Sequence, residues 1–159
     1  VRFGHKERGQ GVRLGKPVID VAAHVSPHFR WGEFFVSEQH PDLVKDLPYI
    51  VMQAHAAALF WLTWTLLEPA RVHFGQPFII LSGYRSDELN NRIGGYRDSD
   101  HLYGRASDLT VPGIDLADVC QWYVENCRYG FGHLILYRSR NFFHISLPTE
   151  RYRGVYETR

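Results

Sequence analysis

From Leu47 to Leu67 the chain carries no Asp, Glu, Lys or Arg, a run of 21 uncharged residues. Such a run either crosses a bilayer, which takes about 20 apolar residues, or is buried inside a globular domain. Gln53, His55, Thr63 and Thr65 recur within it, and alanines fill positions 54 and 56–58. Those polar side chains favour a helix at the centre of a domain over a membrane span, since a helix apolar all round is usually a core helix. Pro48 suits the first turn. Pro69 should kink or restart the helix, and Gly75 should end it. Trp61 and Trp64 either pack or face a partner.

A chain of 159 residues is long enough to bury one real core. Its 45% apolar and 22% charged content is that of a folded globular protein. The net charge is only +1 and the basic residues are scattered rather than striped, so no nucleic-acid partner is expected. Cys120 and Cys127 are the only cysteines. On one helix they stand two turns apart, about 10 Å by the helical rise, too far for a disulfide. Residues 1–25 read as a basic, glycine-rich arm suited to assembly contacts, 26–148 as the folded domain, and 149–159 as a charged tail. The chain opens Val-Arg-Phe-Gly with no apolar targeting run, and the missing initiator Met suggests that residues before Val1 were removed or left out.

Within the domain, Phe29, Trp31, Phe34 and Phe35 suggest an aromatic-anchored helical turn capping the core. Pro77–Leu81 is an unbroken apolar run, the pattern of a buried strand. Ser86 is a good N-cap for a short helix opened by Asp87 and Glu88, which Gly94-Gly95 ends. Ala106–Val111 reads as a second strand, closed by Pro112-Gly113. Asp115–Cys127 reads as a helix with Leu116, Val119, Cys120 and Tyr123 at core spacing. His133–Tyr137 and Asn141–Leu147 form a hairpin about Arg138-Ser139-Arg140, and Pro148 ends the sheet. Strands paired mostly as neighbours, with helices in front, predict an α+β fold with a small, mostly antiparallel sheet.

The chemistry concentrates between Leu81 and Leu109. His101 and Asp108 are seven residues apart with Gly104 between them. A glycine there lets the backbone turn sharply, so both side chains can point at one spot. Imidazole plus carboxylate suits zinc, and a catalytic zinc needs a third protein ligand. The best candidate is His144, in the apolar run Asn141-Phe142-Phe143-His144-Ile145-Ser146.

Ser82-Gly83-Tyr84-Arg85-Ser86, Leu89-Asn90, Gly94-Gly95, Ser99-x-His101-x-x-Gly104-x-Ala106-x-Asp108 and Phe142-x-His144 together resemble the M15 peptidases. These are the zinc D-Ala-D-Ala carboxypeptidases and phage L-alanyl-D-glutamate endolysins, with a hedgehog-like fold. Phe29-x-x-x-Glu33-Phe34 and Leu67-x-Pro69-x-Arg71-x-x-x-Gly75 extend the likeness upstream, so that it spans roughly residues 28–147. The resemblance implies zinc on His101, Asp108 and His144, with Arg85 and Ser99 holding substrate near the metal. Tyr84 joins them as a substrate contact, although its ring, like those of Tyr96 and Tyr103, also reads as packing. Arg85 has a structural alternative too, as a partner of Asp87 or Glu88.

The chain departs from the family pattern in one respect that bears on catalysis. Members usually carry an acid three residues before the last histidine, as general base. Asn141 stands there, and an amide cannot take up a proton. Others carry the acid at the end of the preceding strand, where this chain has Tyr137. Ser146 stands where an Asp is often found two residues after the last histidine. His133 is the first choice of base, because it begins the strand that pairs with the one bearing His144; Asp100 and Asp98 follow. The implied function is zinc-dependent hydrolysis of a peptidoglycan stem peptide. The alternative is a non-catalytic zinc-bearing module of the same fold, for instance in a phage particle. The expected setting is a chain made in the cytoplasm, phage-encoded or carried on a virion, and acting at the bacterial cell wall.

Overall fold

The computed structural model describes residues 19–47, 54–150 and 154–158. The N-terminal arm up to position 18, Pro48 and Gln53 lie outside the described residues. Two short strands, β1 (His24–Ser26) and β2 (Phe29–Arg30), pair antiparallel and lead into a 3₁₀ turn at Trp31–Phe34. Phe29 and Phe34 are fully buried, their ring centroids 6.5 Å apart, so the aromatic turn does cap the core.

The uncharged run forms helix α1 (Ala54–Leu62), continues through a π-helical segment (Thr63–Leu67), and resumes as α2 (Glu68–Phe74). The π segment has a local cause. Pro69 has no N–H, and its ring would clash with the carbonyl of Thr65 four residues back. The helix therefore widens by one residue just before the proline, and Glu68 N–H bonds to the carbonyl of Thr63 instead. Pro69 then sits in the first turn of α2, the restart expected of it. Gly75, at φ 64°, closes the helix. The helix is less enclosed than expected: Leu59, Leu62, Leu66 and Leu67 are buried, while Phe60, Trp61 and Trp64 are exposed. Among the described residues no helix is long and apolar enough to cross a membrane.

Five strands make the main sheet, in the order β3 (Ile79–Ser82), β4 (Ala106–Thr110), β6 (Phe142–Ser146), β5 (His133–Tyr137), β7 (Gly154–Thr158). All neighbours are antiparallel except β5 and β7, which run parallel. Helix α3 (Asp87–Arg92) follows β3, and α4 (Leu116–Asn126) follows β4. The α+β fold class is as expected, and two details correct the sequence reading. Pro148 ends β6 but not the sheet, since β7 joins it afterwards. The run Pro77–Leu81 yields an edge strand buried on one side only: Ile80 is buried, while Ile79 and Leu81 are 44% and 43% exposed.

One face of the sheet carries the core. Leu109, Leu134, Phe143 and Ile145 point into it, and Tyr123 of α4 packs against Phe143 with centroids 6.0 Å apart. The Tyr123 hydroxyl donates to the carbonyl of Leu66 in the π segment, 3.1 Å away, tying the helices together behind the sheet. Cys120 and Cys127 are not joined by a disulfide. Because strand side chains alternate, the opposite face carries the polar residues Ser82, Asp108 and His144 beside Ile135, Tyr137 and Phe142.

Candidate metal centre

Register places the centre. Ser82 pairs with Asp108, Asp108 with His144, and His144 with Ile135, so all four side chains stand in one row on the polar face. His101 arrives from outside the sheet, on a 3₁₀ turn at Asp100–Tyr103 that Gly104 ends in the left-handed conformation at φ 66°. A Cβ at Gly104 would lie 2.8 Å from the carbonyl oxygen of His55 in α1. The sharp turn expected from this glycine is present, and the turn seats directly on the helix.

Three electron-pair donors converge there. Asp108 Oδ1 is 3.2 Å from His101 Nε2 and 2.8 Å from His144 Nδ1, and the two nitrogens are 3.2 Å apart. Ligand atoms at tetrahedral angles on bonds of about 2.0–2.1 Å would be about 3.3 Å apart. His101 Nδ1 is 2.6 Å from the carbonyl oxygen of Gly83. A carbonyl only accepts, so Nδ1 carries the hydrogen and Nε2 presents its lone pair. Two imidazoles and a carboxylate facing one another satisfy a divalent cation better than they satisfy each other, and the donor set fits zinc. Gly83 itself is required by close approach: a Cβ would lie 2.5 Å from the carbonyl oxygen of Phe34.

The protonation states suit the same end. Burial lowers the basicity of His101 against the pull of Asp108, leaving the ring neutral. Burial alone would raise the Asp108 carboxyl, but the neighbouring His101 and His144 outweigh it and hold it far below the usual carboxylate range. The other Asp108 oxygen, Oδ2, accepts from Arg85 Nη2 at 2.5 Å, and Arg85 Nε donates to Ser82 Oγ at 2.8 Å. Arg85 thus pairs with Asp108, neither with Asp87 nor with Glu88. Its backbone N–H also donates to the carbonyl of His101, 3.1 Å away.

The remaining sequence candidates fall at different depths. His133 lies opposite Ser146, whose Oγ accepts from its backbone N–H at 2.9 Å. It shares the face of His144, two residues from that residue's direct partner. Burial and the neighbouring His144 lower its basicity, and Asp100 opposes them. Ser99 occupies the N-cap position of the 3₁₀ turn that carries His101, without a side-chain capping bond, and is partly exposed. Tyr84 is 6% exposed, its ring between Phe35 and His55 at centroid distances of 6.5 and 5.3 Å, so the ring packs in the core. Asn141 is exposed and occupies the hairpin turn in the left-handed conformation, φ 54°. Sequence reasoning missed the Gly83 carbonyl, the Arg85–Asp108 pair and the placement of Tyr137 on the polar face. Only the last had a readable signal, the strand period linking His133, Ile135 and Tyr137.

A family model described as Peptidase M15 matches residues 45–146, more than half of the chain. No curated protein matches the chain at a significant level.

Proposed function

The chain belongs to the M15 peptidase family, and from that membership we propose that it is a zinc metallopeptidase hydrolysing a peptide bond in peptidoglycan stem peptides. The observation that carries the metal part is the convergence of His101 Nε2, Asp108 Oδ1 and His144 Nδ1 within 3.2 Å of one another. These three residues would hold the ion. Zinc, when bound, supplies Lewis acidity, which polarises a carbonyl and makes water more acidic.

The chain's own groups do the rest. Gly83 fixes the tautomer of His101, and Arg85 holds the far oxygen of Asp108, so the donor atoms are aimed before any ion arrives. A guanidinium carries five N–H donors. With bonds to Ser82 and Asp108 made, Arg85 has capacity left for a substrate carboxylate, for which its planar fork is suited. Ser99, partly exposed at the head of the His101 turn, is the second residue assigned to hold substrate. His133 serves as general base, taking the proton of the attacking water on its unprotonated ring nitrogen and returning it to the leaving amine. Burial lowers the basicity of that imidazole, which favours the unprotonated state a base needs.

The test is hydrolysis of purified peptidoglycan by zinc-loaded protein, with products identified by mass. Release of D-alanine indicates a carboxypeptidase, and a cut between L-alanine and D-glutamate indicates an endolysin. His133→Ala should lower turnover about a hundredfold to ten-thousandfold with zinc still bound. Full zinc occupancy without any hydrolysis would replace this reading with that of a non-catalytic binding module.

A further inference from the structure

Tyr137 stands at the end of the metal site away from His133. The two residues lie on either side of Ile135, the direct register partner of His144, and all three side chains of β5 share the face of His144. Diagonal neighbours on one face of an antiparallel pair are about 7–8 Å apart, within reach of an aromatic side chain. The ring of Tyr137 lies flat on its own register partner, Phe142, with centroids 4.5 Å apart and planes at 19°. Packing therefore orients the ring, and the phenol does not depend on solvent for its direction.

The hydroxyl is also coupled to the centre. Burial and the Asp108 carboxylate push the phenol above its ordinary range, while Arg140 and Arg85 pull the other way. A phenol so placed keeps its proton at neutral pH. It is a donor and no base, so it does not replace the acid that other family members carry at this position. Arg85 is the other donor nearby; its Nε and Nη2 hold Ser82 and Asp108, and its remaining N–H groups are the ones assigned above to the substrate carboxylate.

We propose that Tyr137 is a catalytic hydrogen-bond donor, its hydroxyl bonding to the oxygen of the scissile carbonyl as that oxygen gains negative charge. The proposal rests on the peptidase reading above and adds a residue to it. In the attack, water oxygen bonds to the carbonyl carbon, the C=O π pair moves to oxygen, and the water proton goes to His133. Collapse returns the pair, breaks the C–N bond and delivers that proton to the amine. Tyr137 keeps its own proton throughout and stabilises the oxyanion by hydrogen bonding. Together His133 and Tyr137 divide the work between the two ends of one strand.

The experiment compares zinc-loaded wild type with Tyr137→Phe, which retains the ring that stacks on Phe142. Calorimetric affinity is measured for a phosphinate pseudodipeptide, whose charged oxygens on tetrahedral phosphorus mimic the oxyanion, and for the planar peptide of the same sequence. Pseudodipeptides of D-alanyl-D-alanine and of L-alanyl-D-glutamate are both used. Loss of one oxyanion donor costs about a hundredfold to a thousandfold in turnover, so phosphinate affinity should fall at least about tenfold while planar peptide affinity and zinc content stay unchanged. The proposal is overturned if wild type holds neither phosphinate, if both proteins hold it equally, or if phosphinate and planar peptide weaken together. Selective weakening of phosphinate binding in a protein that hydrolyses no wall peptide would retain Tyr137 as the donor and discard the peptidase reading.

Discussion

The two oxygens of Asp108 face different partners. Oδ1 looks toward the histidines, and Oδ2 accepts from Arg85 in a place where the aspartate side chain is 13% exposed. Arg85→Ala would leave Oδ2 without that donor and free the carboxylate to rotate. Loss of an outer partner of a metal ligand typically costs about 10–100-fold in metal affinity. Zinc competition against a chelating dye should show a loss of that size in a folded Arg85→Ala protein, and an unchanged affinity would remove Arg85 from this role. Asn141 has a conformational reason to be what it is. At φ 54° most L-residues pay roughly 1–2 kcal/mol, whereas Asn and Gly adopt the conformation readily. Asn141→Gly should therefore leave unfolding free energy within about 0.5 kcal/mol, while Asn141→Val should lose about 1–2 kcal/mol in urea titrations. Read from sequence, position 141 looks like a missing base; read from the backbone, it is the residue that turns the hairpin.

The join between helix and hairpin shows how an element is held where the site needs it. Glu68, the first residue after the π segment, is buried and reaches back to the β1–β2 hairpin. Its Oε2 accepts from Ser26 Oγ at 2.6 Å and from His28 N–H at 3.3 Å, and its Oε1 lies 2.6 Å from His28 Nδ1. Trp64 Nε1 donates to the carbonyl of Val25 at 2.9 Å, one helical turn away. Burial alone would raise the Glu68 carboxyl, but the hydrogen bonds from Ser26 and His28 outweigh it and hold it below its ordinary value of 4.5. A lowered carboxylate stabilises the fold above its unfolded-state value, and that contribution is lost as pH falls through the lower folded value. Glu68→Gln should therefore destabilise at neutral pH, by about 1–3 kcal/mol for a broken charge-assisted network. The gap to wild type should close as melts are repeated at pH values progressively below 4.5. A gap that stays constant down to acid pH would mean that the charge of Glu68 does not matter. Neither the π segment nor this clamp was legible beforehand. Pro69 announced an interruption but not its form, and the partners of Glu68 lie about 40 residues back in the chain.

Across the whole molecule, the order of most elements and the three converging residues were legible because each is written in local signals. Ser86 caps a helix and accepts from Leu89 N–H, Gly104 turns the chain, and the hairpin strands alternate. Pairing between distant segments has no local signature, so the parallel addition of β7 beside β5 and the one-sided exposure of β3 could not be read in advance. That division has a thermodynamic consequence. The core lies on one face of the sheet, held by α4 and by the helix running from α1 through the π segment into α2, and it does not involve the metal centre. The centre lies on the other face and joins β4, β6 and the turn bearing His101, which are 36 and 43 residues distant from one another by its longest links. A bound ion should thus stabilise a fold that exists without it. An ion that binds only the native state adds about 2.7 kcal/mol at a hundred times its dissociation constant. For a domain of this size each kcal/mol moves the melting temperature by about 2–4 °C. Chelation should therefore lower the melting temperature by roughly 5–10 °C while the far-ultraviolet circular dichroism at 25 °C stays unchanged, and His144→Ala should melt at the chelated temperature with or without added zinc. A collapse of secondary structure on chelation would make the ion part of the core, and a melting temperature indifferent to zinc would remove it from these three residues.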